Sequence, residues 1–503
     1  MFENIFMGFE HVLTWHNQGM ILAGTALGIL VGALPGLSSP MAMIVLLPLT
    51  YSFAGLPALL MMMGAYVGSK LGGSYSAILL RTPGTPAAAC TVLDGHPMAL
   101  QGKAAQALGY ATVGSTLGGL MGWLVASLCI PVIAGIAVKS GPADIALIGL
   151  AGLVMVSSFV RGSMLKGLIG MLLGLLLSTV GLDPQDTTPR MTFDMEELFG
   201  GIDFSAALVG FFGIAVVLSD LHRIEEGAVR IREKVGLNLP SARELRLRWR
   251  AIAIGAFYGL FVGAVPGVGA EGSTWLAYAT VRKNSKNPES FGTGNPDGIL
   301  APEASNNAVT GGTMLPMLTL GLPGDGSTAI MLGALLLHGM TPGITLIKES
   351  PEMVYGLLAG LGVAHVFMFL LGTLAIRPYV ALLQNDRAWI FPFVLIMAMV
   401  GCFAGTNNPF PVFLAVLFGI LGHLMELRGF PIPTVVLGVI LGPIIEVNLR
   451  LALSLSNDDW AVFADTWPRK IILALILYIV SKEILLELKR MRLQSQVNST
   501  VNP

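Results

Sequence analysis

The sequence predicts an all-α polytopic membrane protein of about 11–14 membrane segments, including re-entrant hairpins, arranged as two inverted structural repeats. Three observations carry that expectation. The 503-residue chain is 54% hydrophobic and only 12% charged, with a mean hydropathy of +0.74, which is about half the charge of a soluble domain. Apolar runs of about twenty residues, each long enough to cross a hydrocarbon layer of about 30 Å, recur from end to end. The chain also holds 62 glycines and 29 prolines. That content breaks soluble helices, whereas in a membrane small residues let helices approach closely and broken helices survive where they line a cavity.

In chain order, residues 1–18 read as an amphipathic lead-in with Phe2, Phe6, Phe9 and Trp15 among polar neighbours. A first half, 19–221, follows, with apolar runs at 19–34, 41–63, 71–80, 107–138, 143–160, 163–182 and 204–221. A basic inter-half loop spans 222–250. The second half, 251–488, carries runs near 251–266, 308–322, 327–340, 353–376, 389–405, 410–427, 432–447 and 470–488, and a tail occupies 489–503. No Lys or Arg precedes Lys70, so the first run lacks the basic region of a cleavable signal and reads as a retained membrane segment.

Charge sets the expected orientation, because cytoplasmic loops collect Lys and Arg. The centre holds Arg223, Arg230, Arg232, Lys234, Arg243, Arg246, Arg248 and Arg250, and the tail Lys489, Arg490 and Arg492. Both are expected on the cytoplasmic side of a bacterial inner membrane, with the N-terminus, bearing Glu3 and Glu10, on the periplasmic side. An outward N-terminus and an inward centre require an odd number of crossings in the first half, which would invert the second half. Net charge is -1, and no nucleic-acid partner is expected.

The halves echo each other. Gly32-Ala33-Leu34-Pro35-Gly36-Leu37 recurs 231 positions on as Gly263-Ala264-Val265-Pro266-Gly267-Val268. Arg81-Thr82-Pro83-Gly84 recurs 240 positions on as Gly321-Leu322-Pro323-Gly324, and Asp94-Gly95-His96-Pro97 is echoed by His338-Gly339-Met340. Proline stops a helix and glycine permits conformations other residues avoid. Pro-Gly inside an apolar run therefore frees backbone groups at membrane depth, and such groups need a partner that an ion or substrate can supply.

Other candidates follow from residue chemistry. Asn306 and Asn307, in Ala301-Pro302-Glu303-Ala304-Ser305-Asn306-Asn307-Ala308, offer amide donors for a carboxylate and acceptors for a cation. Glu303 is an ionisable group at membrane depth, a functional hypothesis by default. The offset of 240 sets Tyr66 against Asn306 and makes Gly68-Ser69-Lys70-Leu71-Gly72-Gly73-Ser74 the polar counterpart block. Lys70 and Arg81 are cations able to attract an anion, Arg as a bidentate carboxylate partner, though either side chain is also able to snorkel to an interface. Glu271 and Asp325 follow the second-half Pro-Gly steps, where pairing with Lys70 or Arg81, sodium coordination and proton carriage all stay open.

Substrate binding is thus expected at Pro35, Gly36, Tyr66, Lys70, Ser74, Arg81, Pro83, Gly84, Asn306, Asn307, Pro323 and Gly324, and ion coupling at Gly267, Glu271, Glu303, Asn306 and Asp325. Helix-end N–H groups suit carboxylates, and backbone, Asn and Ser oxygens suit a hard cation such as sodium. No enzyme is expected. The seven histidines show no metal-ligand spacing, Gly-Gly-Ser-Tyr-Ser lacks the nucleophile-elbow frame, and no phosphate-binding Gly-Lys-Ser/Thr loop occurs. The competing classes are a passive anion channel and a membrane-embedded enzyme.

Several motifs resemble the TctA-type large membrane subunit of tripartite tricarboxylate transporters. They are Gly32-Ala-Leu-Pro-Gly-Leu-Ser, Leu46-Leu-Pro-Leu, Gly72-Gly-Ser-Tyr-Ser-Ala-Ile-Leu-Leu, Thr82-Pro-Gly-Thr-Pro, Leu93-Asp-Gly-His-Pro-Met-Ala, Gly263-Ala-Val-Pro-Gly-Val-Gly-Ala, Phe291-Gly, Ala301-Pro-Glu-Ala-Ser-Asn-Asn-Ala, Leu320-Gly-Leu-Pro-Gly, Gly438-Val-Ile-Leu-Gly-Pro and Asn448-Leu-Arg-Leu-Ala-Leu-Ser-Leu-Ser. The resemblance covers essentially the whole chain. It implies secondary active uptake of a carboxylate coupled to sodium or protons, and an elevator-like movement of two re-entrant hairpins. It also implies two partners, a small membrane subunit of about four helices and a soluble periplasmic solute-binding protein that delivers a small organic anion. Lys70, Arg81, Glu271 and Asp325 depart from the family's pattern, and these four charges are expected to retune substrate choice.

Overall fold

A computed structural model describes residues 2–34, 37–137, 139–159, 164–183, 186–220, 238–265, 269–374, 395–396, 399–400, 402–403, 407–482 and 485. The described chain is helical almost throughout. Its one sheet is a two-stranded antiparallel ladder, Gly181–Leu182 with Pro189–Arg190. Four helical stretches, Val92–Gly135, Pro351–Leu374, Phe410–Leu427 and Ile432–Leu455, are long and apolar enough to cross a membrane.

The chain forms two compact units, each drawing on both halves of the sequence. The first comprises Met1–Val138 and Ser205–His423, and the second Lys139–Phe204 and Leu424–Pro503. In order, the helices used below are α1 (Phe2–Val12), α2 (Trp15–Gly32), α3 (Ser39–Thr50), α4 (Gly55–Leu80), α5 (Val92–Met98), α6 (Ala104–Ala137), α7 (Pro142–Phe159) and α8 (Met164–Ser178). They continue with α9 (Phe204–Ser219), α10 (Ala242–Gly263), α11 (Gly269–Asn284), α12 (Asp297–Leu320), α13 (Gly326–Leu337), α14 (Ile344–Glu349), α15 (Pro351–Leu374), α16 (Phe410–Leu427) and α17 (Ile432–Leu455).

Two helices form the centre of the first unit. Every residue of α4 from Ala58 to Leu80 is buried, and so is every residue of α12 from Gly298 to Thr319. The polar residues between the apolar runs 41–63 and 71–80 therefore do not break the helix. They are small, or they face protein rather than lipid, so α4 continues through them, whereas the first run is cut at Tyr51–Ala54. Likewise α12 starts eleven residues before the run at 308. At the other end of the basic segment 222–250, α10 begins at Ala242 with a capping box. The Ser241 hydroxyl accepts from the Glu244 N–H, and the Glu244 carboxylate accepts from the Ser241 N–H.

Glycine decides how these helices pair. A Cβ added at Gly24, Gly28 or Gly32 of α2 would lie 1.9, 2.4 and 2.1 Å from the carbonyl oxygens of Met61, Ala65 and Ser69 on α4. On α10, Gly255, Gly259 and Gly263 press in the same way on the carbonyls of Ala301, Ser305 and Val309 of α12, at 2.3, 2.3 and 3.0 Å. These glycines lie 231 positions after the first set and their carbonyl partners 240 positions after the first partners. Only glycine lets two backbones come this close, the membrane route to tight helix pairing. α6 closes on the other side of α12, with Gly118 and Gly122 against Ala304 and Ala308, and α15 packs on α1, α4 and α6.

The second unit is built on α17 packed against α7 and α8. Gly174 of α8 meets Gly438 of α17 at backbone distance. Arg190 and Arg450 share the carboxylates of Asp183 and Glu446 in a four-membered ion network, with N···O distances of 2.6–3.2 Å. Arg469 ties the region after α17 to Asp144 at the start of α7, at 2.8 Å.

Candidate functional site

The α4 and α12 helices each end in a left-handed residue followed by a proline-glycine step. Arg81 (φ 58°) caps α4 and Gly321 (φ 70°) caps α12. Beyond them the chain folds back on its own helix. The Gly84 N–H donates to the Gly73 carbonyl at 3.1 Å, and a Cβ at Gly84 would strike the Gly32 carbonyl at 1.9 Å. Gly324 sits as tightly on Thr313, at 2.7 Å. Pro83 is half-buried and Pro323 buried. The other two proline-glycine steps, with Pro35, Gly36 and Gly267, lie outside the described residues.

A polar seam runs between α4 and α12. The Tyr66 hydroxyl donates to Asp325 Oδ2 at 2.6 Å and lies 3.1 Å from Thr313 Oγ1. Two turns along α4, the Ser74 hydroxyl donates to Glu303 Oε1 at 2.6 Å. These two contacts make the helices antiparallel. They set Lys70, one turn from each, at the level of Asn306, Asn307 and Thr310, since residues three and four apart share a helix face. Lys70 is 3% exposed, with its Nζ 4.9 Å from the centre of the Tyr66 ring. It interacts electrostatically with Asp325, Glu271 and Glu303.

Each acid is held differently. Glu303 is fully buried in a cage of neutral hydroxyls, accepting from Ser74 and Thr91 on one oxygen and from Ser115 on the other at 2.8 Å. Asp325 is the N-cap of α13, accepting from the Thr328 N–H at 2.9 Å as well as from Tyr66. Glu271 is exposed in the first turn of α11. Arg81 is exposed and, among the described residues, forms no ion pair, so it is not joined to Asp325.

The most informative groups in the seam are Asn306 and Asn307. They are 1% and 0% exposed, and neither amide nitrogen nor amide oxygen has a hydrogen-bond partner among the described residues. A buried polar group left unpaired costs about 1–3 kcal/mol. Two adjacent amides in that condition leave both nitrogens and both oxygens unmet among the described residues.

Several seam residues carried no sequence signal of their own. Thr91 is an isolated hydroxyl in the turn before α5, Ser115 sits beside Thr116 in α6, and Thr313 lies in an apolar context. His365 of α15 is fully buried; its Nδ1 is 2.8 Å from the Leu361 carbonyl and its Nε2 3.4 Å from Thr310 Oγ1.

The chain is 35% identical over 463 residues, 92% of each chain, to an uncharacterised 52.8 kDa protein in the TAR-I ttuC' 3' region of Agrobacterium vitis. It is 34% identical over 205 residues to an uncharacterised protein in the TAR-II ttuC' 3' region of the same organism, covering 41% of this chain and 85% of that one. No solved structure matches significantly. A model of the tripartite tricarboxylate transporter TctA family matches residues 19–437, so the chain belongs to that family.

Proposed function

We propose that this membrane component of a tripartite tricarboxylate transporter takes up a di- or tricarboxylate, or a related organic anion, across the bacterial inner membrane. Uptake is driven by a sodium or proton gradient and fed by a periplasmic solute-binding protein, with a small membrane subunit as second partner. The observation that carries the reading is the buried pair Asn306 and Asn307, whose side chains have no partner among the described residues and lie level with Lys70. Amide N–H groups and one ammonium suit a carboxylate. Tyr66, Ser74, Arg81 and the backbone of Pro35-Gly36, Pro83-Gly84 and Pro323-Gly324 complete the anion site. Gly267, Glu271, Glu303, Asn306 and Asp325 serve the coupling cation. Glu303 and Asp325 bring carboxyl oxygens into the seam that a coupling cation can share with the entering anion.

The corresponding glycine contacts of α2 on α4 and of α10 on α12 support two structural repeats. We assign them opposite orientations in the membrane, with the segments after Arg81 and Gly321 as re-entrant hairpins, the N-terminus periplasmic and the C-terminus cytoplasmic. The test is uptake of radiolabelled di- and tricarboxylates into vesicles holding this chain and its small partner. The binding protein and a sodium or proton gradient are each added or omitted. Uptake that requires both the binding protein and one gradient is the expected result. A current that flows without either would make the chain a passive channel.

A further inference from the structure

Asp94 stands apart from the seam and is among the most completely held side chains in the protein. It is 0% exposed and lies in α5, beyond the first proline-glycine turn. Its Oδ1 accepts three backbone N–H bonds from one loop, from Gly292 at 2.8 Å, Gly294 at 2.9 Å and Asn295 at 2.7 Å. Its Oδ2 accepts from the Tyr278 hydroxyl of α11 at 2.9 Å. The loop is shaped for this. Gly292 and Gly294 both have positive φ, at 88° and 105°, a conformation glycine adopts without penalty. Three converging N–H groups make an anion cradle. A Cβ on Gly298 would lie 2.0 Å from Asp94 Oδ2. A second strap runs from the Gln101 amide to the Thr293 carbonyl, at 2.7 Å.

On its other side the same segment is fixed to α4, with His96 Nδ1 2.9 Å from the Ile78 carbonyl. Thr91, three residues before Asp94, is part of the hydroxyl cage over Glu303. Cys90 points its thiol at the Thr274 carbonyl of α11, at 3.7 Å. The segment from 90 to 98 therefore covers one end of the seam, and Asp94 is the group that binds the cover to the opposite half of the chain. That end carries Arg248, paired with Asp297 at 2.7 Å, and Arg282 and Lys283 in the last turn of α11. The echo of this segment in the second half has no carboxylate. There Met340 and His338 lie against Gly55, and the buried Nε2 of His338 has no partner among the described residues.

We propose that Asp94 is the latch of the inner gate, a positioning residue that holds the first hairpin's cover over the seam and must let go for the seam to open to the cytoplasm. The inference rests on the orientation proposed above. Its second-half counterpart has no such lock, so the two ends of the seam open with unequal ease.

Cys90 is a native reporter. In membrane vesicles holding the complex, with Cys129→Ala and Cys402→Ala in the background, a membrane-impermeant maleimide is applied to either face without substrate. Asp94→Asn leaves the three backbone N–H bonds to Oδ1 as neutral ones of about half the strength and sets an amide N–H₂ against the Tyr278 hydroxyl, which then has to turn and accept. Labelling of Cys90 from the cytoplasmic face should rise about tenfold, with labelling from the outer face unchanged. Tyr278→Phe, which removes one bond and keeps the ring, should give a rise of about threefold and serves if the Asn variant does not fold. Unchanged labelling in a folded variant overturns the latch, as does a rise confined to the outer face or equal on both. Because no substrate is present, this outcome is independent of whether the carboxylate-uptake reading stands.

Discussion

At the residue scale, function and stability pull apart most clearly at Asn306 and Asn307. Each is buried with its amide unpaired, so each weakens the fold unless a ligand meets it. Replacing either by alanine removes the unpaired group at the cost of a small cavity. We expect stability to change little, or to rise by about 1 kcal/mol, while uptake falls at least tenfold. Thermal unfolding of the purified complex and initial uptake rates read the two effects separately; parallel losses of both would make the pair structural. Arg81 offers a second contrast. Its φ of 58° is one that side chains other than glycine, Asn and Asp adopt only at a cost of about 1–2 kcal/mol. Arg81→Gly should raise stability by about 0.5–1 kcal/mol, and Arg81→Ala should not. The residues before this turn were legible in the sequence, since Pro-Gly after an apolar run marks a helix end. The conformation of Arg81 itself was not, because the equivalent position, 321, is a glycine and nothing local marks an arginine as left-handed.

At the element scale, the glycines of α2 and α10 make a sharper forecast than any one side chain. Gly28→Leu and Gly259→Leu each force a Cβ into a carbonyl, at 2.4 and 2.3 Å. Overpacking of this kind costs about 1–3 kcal/mol or more, and the two variants should lose similar stability because they occupy corresponding contacts. Gly19→Ala, in the same α2 helix but with nothing within 4 Å, should instead gain about 0.5–1 kcal/mol from helix propensity. A midpoint series on the three variants decides it. Glycine content announced close helix approach in the sequence. Which glycine meets which carbonyl did not follow from it, since partners lie 37 or 46 residues apart and are set by how α2 and α4, or α10 and α12, slide past each other. The capping box at Ser241 belongs to the same scale. Ser241→Ala should cost the α10 start about 1 kcal/mol. Bonds from Ser241 and from Tyr110 hold the Glu244 carboxyl below its usual range. Its contribution is therefore present at neutral pH and fades as the pH falls below the ordinary glutamate range.

At the scale of the whole molecule, charge distribution and packing point the same way by independent routes. Lys and Arg concentrate in the centre and the tail, which under the proposed orientation argues for an odd number of crossings between the N-terminus and the centre. The glycine contacts of α2 on α4 and of α10 on α12 correspond position by position, which supports the two repeats proposed above. What the sequence could not supply was the seam, because α4 and α12 run antiparallel. A linear offset of 240 sets Tyr66 against Asn306, yet in space Tyr66 meets Thr313 and Asp325. Inversion itself has a direct consequence at the loops that enter these two helices. Ser52, before α4, and Thr293, before α12, are both exposed and occupy corresponding places in the two halves. If the halves are inverted, Ser52→Cys is labelled by an impermeant maleimide from the periplasmic face and Thr293→Cys from the cytoplasmic face, with Cys90, Cys129 and Cys402 replaced by alanine. Labelling of both from one face would mean parallel repeats. The centre would then owe its basic residues to something other than the cytoplasmic bias, and the assignment of Asp94 to an inner gate would lose its basis.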